Sequence, residues 1–391
     1  MRLKKVLIIA NLSGFLWKFE LDNVHILQEL GYEVHYASNI YEKGYDFDLD
    51  EMQEKGIIFH QIDIARSPYM FKMNSTALKQ ILKIIDEEGI ALIHCHTPVG
   101  GVLGRIAGLM SKRKPKVIYT AHGFHFYKGA PIINNVIYQF VERLLAPFTD
   151  IMILINKEDF NAARTMHLRN KGKIYQIPGI GLDLSYFSPV SKSEKQVYRR
   201  SIEIGSDVFF ILSVGELNQN KNHKIVIKAL KKIDSEHLTD VPIVYGICGD
   251  GFFKEDIRRF ARDIGLGEKI HFFGYQKEIK DYYAAADLTV FPSLREGLGM
   301  SGLESLAMGV PVVAADNRGT REYMIDGKNG YVFNPEDVDG CAEGILKICG
   351  MSEEDRNKMS VRCIESIQKF SKEKTTKIMK DIYSYIDREI S

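Results

Sequence analysis

The sequence predicts an α/β protein made of two doubly wound parallel-sheet, Rossmann-like units in tandem. Three observations carry this. Short apolar runs alternate with stretches of helical spacing through most of the chain. The alternation breaks at Ile177-Pro-Gly-Ile-Gly-Leu-Asp183, a stretch with the composition of a hinge, and then resumes. The length, 391 residues, also exceeds what one core comfortably serves. The expected division is an N-terminal unit over 1–180, a second unit over 181–370, and a C-terminal helix over 371–391 packing back on the first. Open α/β sheets bind ligands beyond the carboxyl ends of their strands, so the two sheets are expected to face each other across a cleft.

The elements follow in order. Lys4 to Ala10 reads as a strand, Asn11 to Gly14 as a loop, and Trp17 to Leu30 as a helix stopped by Gly31. Glu33–Ser38 and Ile57–Asp63 read as strands joined by an acidic connection, Tyr45 to Glu54. Asn74 or Ser75 is a candidate cap for a helix running to Glu88 and closed by Gly89. Strands at 91–96, 116–122 and 151–155 alternate with helices at 102–110 and 132–147. Beyond the hinge, strands at 209–214, 243–248, 270–273, 288–292 and 310–315 alternate with helices at 222–233, 252–264, 277–285 and 301–308. From Pro335 onward the chain reads as helix.

Composition narrows the function class. A net charge of +1 argues against nucleic acid as the main partner. Residues 1–180 carry 22 basic and 18 acidic side chains, the remainder 30 and 33, an asymmetry that permits contact between the N-terminal half and an anionic surface. Five cysteines without a CxxC pair point to a reducing cytoplasm rather than a disulfide frame. The opening Met1-Arg-Leu-Lys-Lys5 leads into an apolar run that fits a buried strand better than a signal peptide. No GxGxxG follows the first strand, so a dinucleotide site lacks its fingerprint.

The most informative stretch is Arg295-Glu296-Gly297-Leu298-Gly299-Met300-Ser301-Gly302-Leu303-Glu304. Two carboxylates flank a glycine-rich turn where a strand passes into a helix, and backbone N–H groups at such a start receive an anion. Lys221, at the start of another helix, is poorly placed against the helix dipole unless an anionic ligand lies there, which makes it a candidate diphosphate clamp. Gly14 reads as close backbone approach to a phosphate or as a plain turn glycine. Tyr275 closes a strand where a base would border it. His94, His96, His122 and His125 invite a metal test, but such histidines are more often hydrogen-bonded cleft or core residues. In Thr120-Ala-His-Gly-Phe-His-Phe-Tyr127, His122 stands out at a strand end, in a run that suits a mobile lip over a substrate. Asp46-x-Asp48-x-Asp50 reads as a solvated loop and Asp337-x-Asp339 as an acidic first helical turn. No metal and no cofactor are expected.

These stretches together resemble the retaining glycosyltransferases of family 4, with the GT-B fold. The resemblance covers nearly the whole chain. It rests on the Gly14 loop, Thr120-Ala-His-Gly123, Val214-Gly-x(5)-Lys-Asn222, Gly249-Asp-Gly251, His271-Phe-Phe-Gly274, and Glu296 with Glu304 seven residues beyond it. The runs His-Gly-Phe-His-Phe and Gly-Glu-Leu-Asn-x-Asn-Lys-Asn are most similar to capsular and exopolysaccharide transferases. The resemblance implies His122 and Glu296 as catalytic residues, at the donor sugar. It implies donor binding by Gly14, Lys221, Tyr275, Gly297, Leu298, Gly299, Met300, Ser301 and Glu304. Lys221, the Gly14 loop and the Met300 and Ser301 N–H groups would take the diphosphate, and Glu304 the ribose hydroxyls. Glu216, Asn218 and His96 are further candidates, and Glu216 departs from the pattern, standing where many members carry Arg.

The implied reaction moves a hexose or N-acetylhexosamine from a UDP-sugar to a glycan on a polyprenyl diphosphate, with retention and without a metal. Rival readings are a UDP-sugar epimerase of GT-B shape and a non-catalytic nucleotide-sugar-binding subunit of an assembly complex. Basic Lys112-Arg-Lys-Lys-Pro-Lys116 and mixed Tyr69-Met-Phe-Lys72 fit peripheral contact with the inner face of the cell membrane, or equally solvated loops.

Overall fold

The computed structural model describes residues 3–42 and 44–390, so the opening Met1 and Arg2 lie outside the described residues. The chain forms two compact units, Met1–Gly181 with Lys372–Ser391, and Leu182–Ser371. The first division falls inside the glycine-rich stretch 177–183, where Gly179 and Gly181 take φ of 90° and 88°.

In the first unit, strands β1 (Lys4–Ile9), β2 (Tyr32–Ser38), β3 (Ile57–Gln61), β4 (Leu92–Cys95), β5 (Lys116–Ala121), β6 (Ile151–Leu154) and β7 (Lys173–Gln176) form one parallel sheet. Its order is β3-β2-β1-β4-β5-β6-β7. The crossovers carry α1 (Phe15–Phe19), α2 (Leu21–Glu29), α3 (Leu49–Glu54), α4 (Phe71–Glu88), α5 (Pro98–Met110), α6 (Ile132–Leu145) and α7 (Lys157–Ala163). Val6 to Ile9, Leu92 and Ile93, and Ile151 to Leu154 are fully buried, as expected of strands covered on both faces.

Several local expectations are corrected. The helix expected over Trp17–Leu30 is two helices that break at Glu20 (φ −125°, ψ 0°). The acidic connection contains α3, whose N-cap Asp48 accepts from the N–H groups of Asp50 and Glu51; its carboxylates suit a helix start rather than a plain loop. Asn74 is no cap. It is buried inside α4, accepting from Ala65 N and donating to Ser67 O. Helix α7 and strand β7 were not expected.

In the second unit, α8 (Lys192–Ser201) precedes β8 (Phe209–Val214), α9 (His223–Ser235), β9 (Ile243–Cys248), α10 (Lys254–Asp263), β10 (Ile270–Gly274) and α11 (Lys280–Ala285). Then follow β11 (Leu288–Phe291), α12 (Met300–Ala307), β12 (Val312–Ala315), β13 (Gly330–Phe333), α13 (Val338–Cys349) and α14 (Glu353–Ser366). The sheet is parallel, in the order β10-β9-β8-β11-β12-β13. Helix α8 and strand β13 were missed by the sequence reading. Asp337 caps α13 through Gly340 N.

The last helix, α15 (Lys372–Ile390), belongs to the first unit and packs on α2. Tyr383 donates to His94 Nδ1 or accepts from it at 2.7 Å, and Asp387 binds Lys4 Nζ at 2.7 Å and the Tyr32 hydroxyl at 2.8 Å. No helix among the described residues is long and apolar enough to cross a membrane.

Candidate active site

Each sheet reverses its strand order once, between β1 and β4 in the first unit and between β8 and β11 in the second. Ligands of doubly wound sheets sit beyond the carboxyl ends at such switch points. Gly14 follows β1 and His96 follows β4; Lys221 follows β8 and Glu296 follows β11.

In the second unit, the two loops at the switch point are laced together. Asn220 accepts from Leu294 N through its carbonyl and donates from Nδ2 to Arg295 O. Asn218 caps a short 3-10 turn, Gln219–Lys221, by accepting from Lys221 N at 3.0 Å. This places Lys221 Nζ 2.6 Å from Glu296 Oε1 and 5.3 Å from the centre of the Phe291 ring. The cation expected to await a diphosphate is therefore held by the carboxylate expected to hold the sugar. Glu216 is exposed and accepts from Asn218 Nδ2.

The turn into α12 is shaped by packing. Gly299 is the helix N-cap at φ +91°, and a Cβ there would lie 2.8 Å from the Phe291 ring. A Cβ on Gly302 would lie 2.2 Å from the Tyr323 hydroxyl. At these two positions the glycines are required by the aromatic residues beneath, whatever ligand lies above. Gly299 has no side chain to cap the helix, so Met300 N–H and Ser301 N–H have no intrahelical acceptor. Leu298 is buried, and Gly297 stands between it and Glu296. Glu304 Oε2 accepts from the Tyr283 hydroxyl at 2.9 Å, which also lies 3.1 Å from Ser301 O. Tyr275 follows β10 and is 64% exposed.

Sequence reasoning missed three supports of this site. Arg318, buried after β12, donates from Nε to Glu296 O at 3.1 Å. Asn317 donates to Ser293 O at 2.9 Å. Tyr283 is the third. Arg318 and Asn317 follow a strand, so the same strand-end signal could have found them; Tyr283 lies in a helix and gave none.

In the first unit, His94, His96 and His122 share the carboxyl edge of the sheet. His94 bonds Tyr383 through Nδ1 and Thr120 Oγ1, 2.8 Å away, through Nε2. His96 Nδ1 lies 3.2 Å from His122 Nε2 and 3.4 Å from Glu20 Oε1. Glu20, the break between α1 and α2, is 2% exposed and accepts from Asn23 Nδ2 at 2.6 Å. It was not foreseen, because it lies inside a run of helical spacing. Burial pushes its carboxyl up to about 8 and pushes His122 down to about 4 and His94 to about 3. His96 is also driven well down by burial and by its neighbours. At neutral pH these rings are uncharged. A depression beside them is lined by Phe19, Glu20, Asn23, Thr120, His122 and Thr375.

Two further readings change here. A Cβ on Gly14 would lie 2.5 Å from the carbonyl oxygens of Tyr45 and Asp46, so the close approach at Gly14 is by protein backbone. The 120–127 run, expected as a mobile lip, is fastened: Phe124 N donates to Asp159, Tyr127 N to Asn135, and Phe124 and Phe126 are buried.

Glu20, His96 and His122 offer ligand atoms within 4.8 Å of one another, as do Glu33, His35 and Glu88. A metal-bound imidazole ordinarily donates its other N–H to an acceptor, whereas His96 Nε2 is buried with no hydrogen-bond partner among the described residues. In the second cluster Lys5 already neutralises Glu33 and Glu88, at 2.7 and 2.9 Å. Neither donor set fits a resident cation well.

A family model described as glycosyl transferases group 1 matches residues 194–369, and one described as glycosyl transferase 4-like matches residues 5–156. A Bacillus subtilis (strain 168) protein named "Putative glycosyltransferase EpsD" is 36% identical over 99% of this chain and 98% of its own length. An Escherichia coli UDP-Gal:alpha-D-GlcNAc-diphosphoundecaprenol alpha-1,3-galactosyltransferase is 27% identical over 78% of each chain. Among solved structures, Anabaena Alr3699/HepE in complex with UDP and glucose aligns with a TM-score of 0.77 at 18% identity, over 98% of this chain and all of that one. The fold is GT-B.

Proposed function

This chain belongs to the GT-B glycosyltransferases, and on that premise we propose that it moves a hexose or N-acetylhexosamine from a UDP-sugar to a lipid-linked glycan, with retention, in cell-surface polysaccharide synthesis. The observation that carries the reading is the 2.6 Å Lys221–Glu296 pair beside the uncapped start of α12. Breaking the anomeric C–O bond leaves positive charge on the sugar and negative charge on the diphosphate. Met300 N–H, Ser301 N–H and Lys221 are preorganised donors for the latter.

On this reading an arriving diphosphate draws Lys221 away from Glu296 and releases that carboxylate to accept from sugar hydroxyls. Glu304, held by Tyr283, accepts from the ribose, and Tyr275 borders the base. His122, neutral at pH 7, holds the donor sugar through hydrogen bonds rather than charge. The departing phosphate oxygen takes the acceptor's proton as the new bond forms on the same face. No metal takes part. The diphosphoundecaprenol acceptor in one relative's name supports a polyprenyl-diphosphate acceptor here, and the proposed place of transfer is the cytoplasmic face of the membrane.

The test is a panel of nucleotide sugars with a lipid-linked acceptor extract, read as nucleoside diphosphate released, in chelator. UDP released only with acceptor, and more slowly in Glu296→Gln, is the expected result. Activity abolished by chelation, an inverted anomer by NMR, or epimerised donor without acceptor would each overturn the corresponding step.

A further inference from the structure

The first unit exposes more apolar surface on one helix than its own core can use. On α6, Ile132, Ile133, Val136, Ile137, Phe140 and Leu144 are 52–81% exposed, and the spacing puts all six on one face. Of the whole helix only Leu145 is buried. The helix has a single carboxylate, Glu142, and it points inward to Arg105 Nη1 at 2.7 Å. Exposed Lys128 stands ahead of the helix, its N–H bonded to Glu158, and exposed Arg143 lies near the helix end.

The neighbouring crossovers repeat the pattern. Helices α4, α5 and α6 pack side by side on one face of the sheet, α4 on α5 and α5 on α6. At the start of α4, Tyr69 and Phe71 are each 75% exposed, beside exposed Lys72. At the end of α5, Met110 is 57% exposed and runs into exposed Lys112, Arg113 and Lys114. The starts of α4 and α6 lie at the carboxyl edge of the sheet, the edge that carries His96 and His122.

We propose that the outer face of α6, flanked by the ends of α4 and α5, is the surface by which the first unit docks on an anionic lipid bilayer. An apolar stripe bordered by lysine and arginine is the pattern of a helix lying in the headgroup region. A second copy of this chain is a poorer occupant, because two-fold pairing would set these basic borders near one another. The inference rests on the proposed reading for its purpose, since a polyprenyl-linked acceptor is met at such a surface. The surface itself needs neither donor nor acceptor.

Flotation with vesicles lacking any glycolipid therefore tests it, comparing phosphatidylcholine with phosphatidylcholine–phosphatidylglycerol mixtures. The wild type should float with the anionic vesicles, less at high salt. The double variant Ile133→Glu, Phe140→Glu should bind them at least roughly tenfold more weakly, and the triple variant Lys112→Glu, Arg113→Glu, Lys114→Glu should lose the preference for anionic lipid. Circular dichroism and urea unfolding curves like those of the wild type show that both variants are folded. A wild type that stays at the bottom of the gradient, or a double variant that floats equally well, overturns the proposal. So does wild-type self-association in sedimentation that the double variant abolishes while neither protein floats. Flotation without transfer to any acceptor overturns the proposed function and leaves the surface standing; transfer without flotation does the reverse.

Discussion

Replacing Glu20 by Gln should stabilise the protein at alkaline pH and flatten its stability profile. The Glu20 carboxyl is 2% exposed, and burial raises it from 4.5 to about 8. Between those values the folded chain holds a proton that the unfolded chain has released, so stability falls as pH rises and is lost through the folded pKa. Integrating at 1.36 kcal/mol per pH interval gives a penalty of about 4 kcal/mol at pH 8 relative to acid. Gln mimics the protonated carboxyl, since its oxygen can accept from Asn23 Nδ2 and its amide can donate toward His96 Nδ1, the partners Glu20 has now.

The histidines contribute the opposite slope, but lower down. His94 and His122, depressed to about 3 and about 4, are bare in the fold while the unfolded chain takes up protons below 6.5. Their contribution therefore rises with pH and levels off roughly one pH unit above 6.5, equally in the wild type and in Glu20→Gln. Above that point Glu20 acts without them. Between pH 6.5 and 8 the wild type should lose roughly 2 kcal/mol that Glu20→Gln keeps. Urea unfolding of the two proteins across this interval, followed by thermal midpoints, gives the difference directly. Parallel profiles would mean that Glu20 reaches water in solution, and the argument for a neutral carboxyl beside His96 would fail.

Three further perturbations test the second unit. Lys221→Met removes the cation but keeps an unbranched apolar side chain, so UDP affinity by calorimetry should fall roughly tenfold, the worth of one hydrogen bond to a charged group; an unchanged Kd would place the diphosphate elsewhere. Gly302→Ala sets a methyl 2.2 Å from the Tyr323 hydroxyl and should cost about 1–3 kcal/mol in thermal stability, part of it recovered by adding Tyr323→Phe. No recovery would move the strain away from that contact. Ser191→Ala removes the side-chain half of the capping box at α8 and leaves the bond from its backbone N–H to the Glu194 carboxylate; it should cost about 1 kcal/mol, read from the urea midpoint, and an unaltered midpoint would show that the Ser191 hydroxyl does not hold α8.

What the sequence disclosed follows from the range of the forces involved. Strands buried on both faces, such as Val6–Ile9 and Ile151–Leu154, read as unbroken apolar runs, and glycines 31 and 89 mark helix ends by their left-handed backbone at φ 82° and 75°. Strand β7 was invisible because Lys173 and Gln176 are exposed and its apolar signal is thin. Helix α8 was overlooked although Ser191 and Glu194 carry a local signature for its start. At the site, Glu296 and Glu304 were legible because their spacing spans one turn and one helix start. Glu20 and Tyr283 act through partners distant in sequence, His96 and Glu304, and no local pattern announces such a pairing.

The ion pair changes how the second unit's charges are understood. With Glu216 in place of the usual Arg, the sequence suggested a donor site short of one cation. The geometry offers a different balance. Lys221 and Glu296 neutralise one another at 2.6 Å, and Arg318 bonds the backbone carbonyl of the same glutamate. A site kept in this state avoids leaving a half-buried lysine or carboxylate alone, at the cost of one ion pair that an incoming diphosphate must replace. On the proposed reading, exchange of partners couples the two ends of the donor: phosphate capture by Lys221 would free the acceptor oxygens of Glu296 for the sugar. UDP alone should break the pair as well as a UDP-sugar does, so Glu296→Gln, which removes the competitor for Lys221, should bind UDP more tightly than the wild type while transferring sugar more slowly. Weaker UDP binding in that variant would show that Glu296 helps to hold the lysine in place, and the exchange would have to be abandoned.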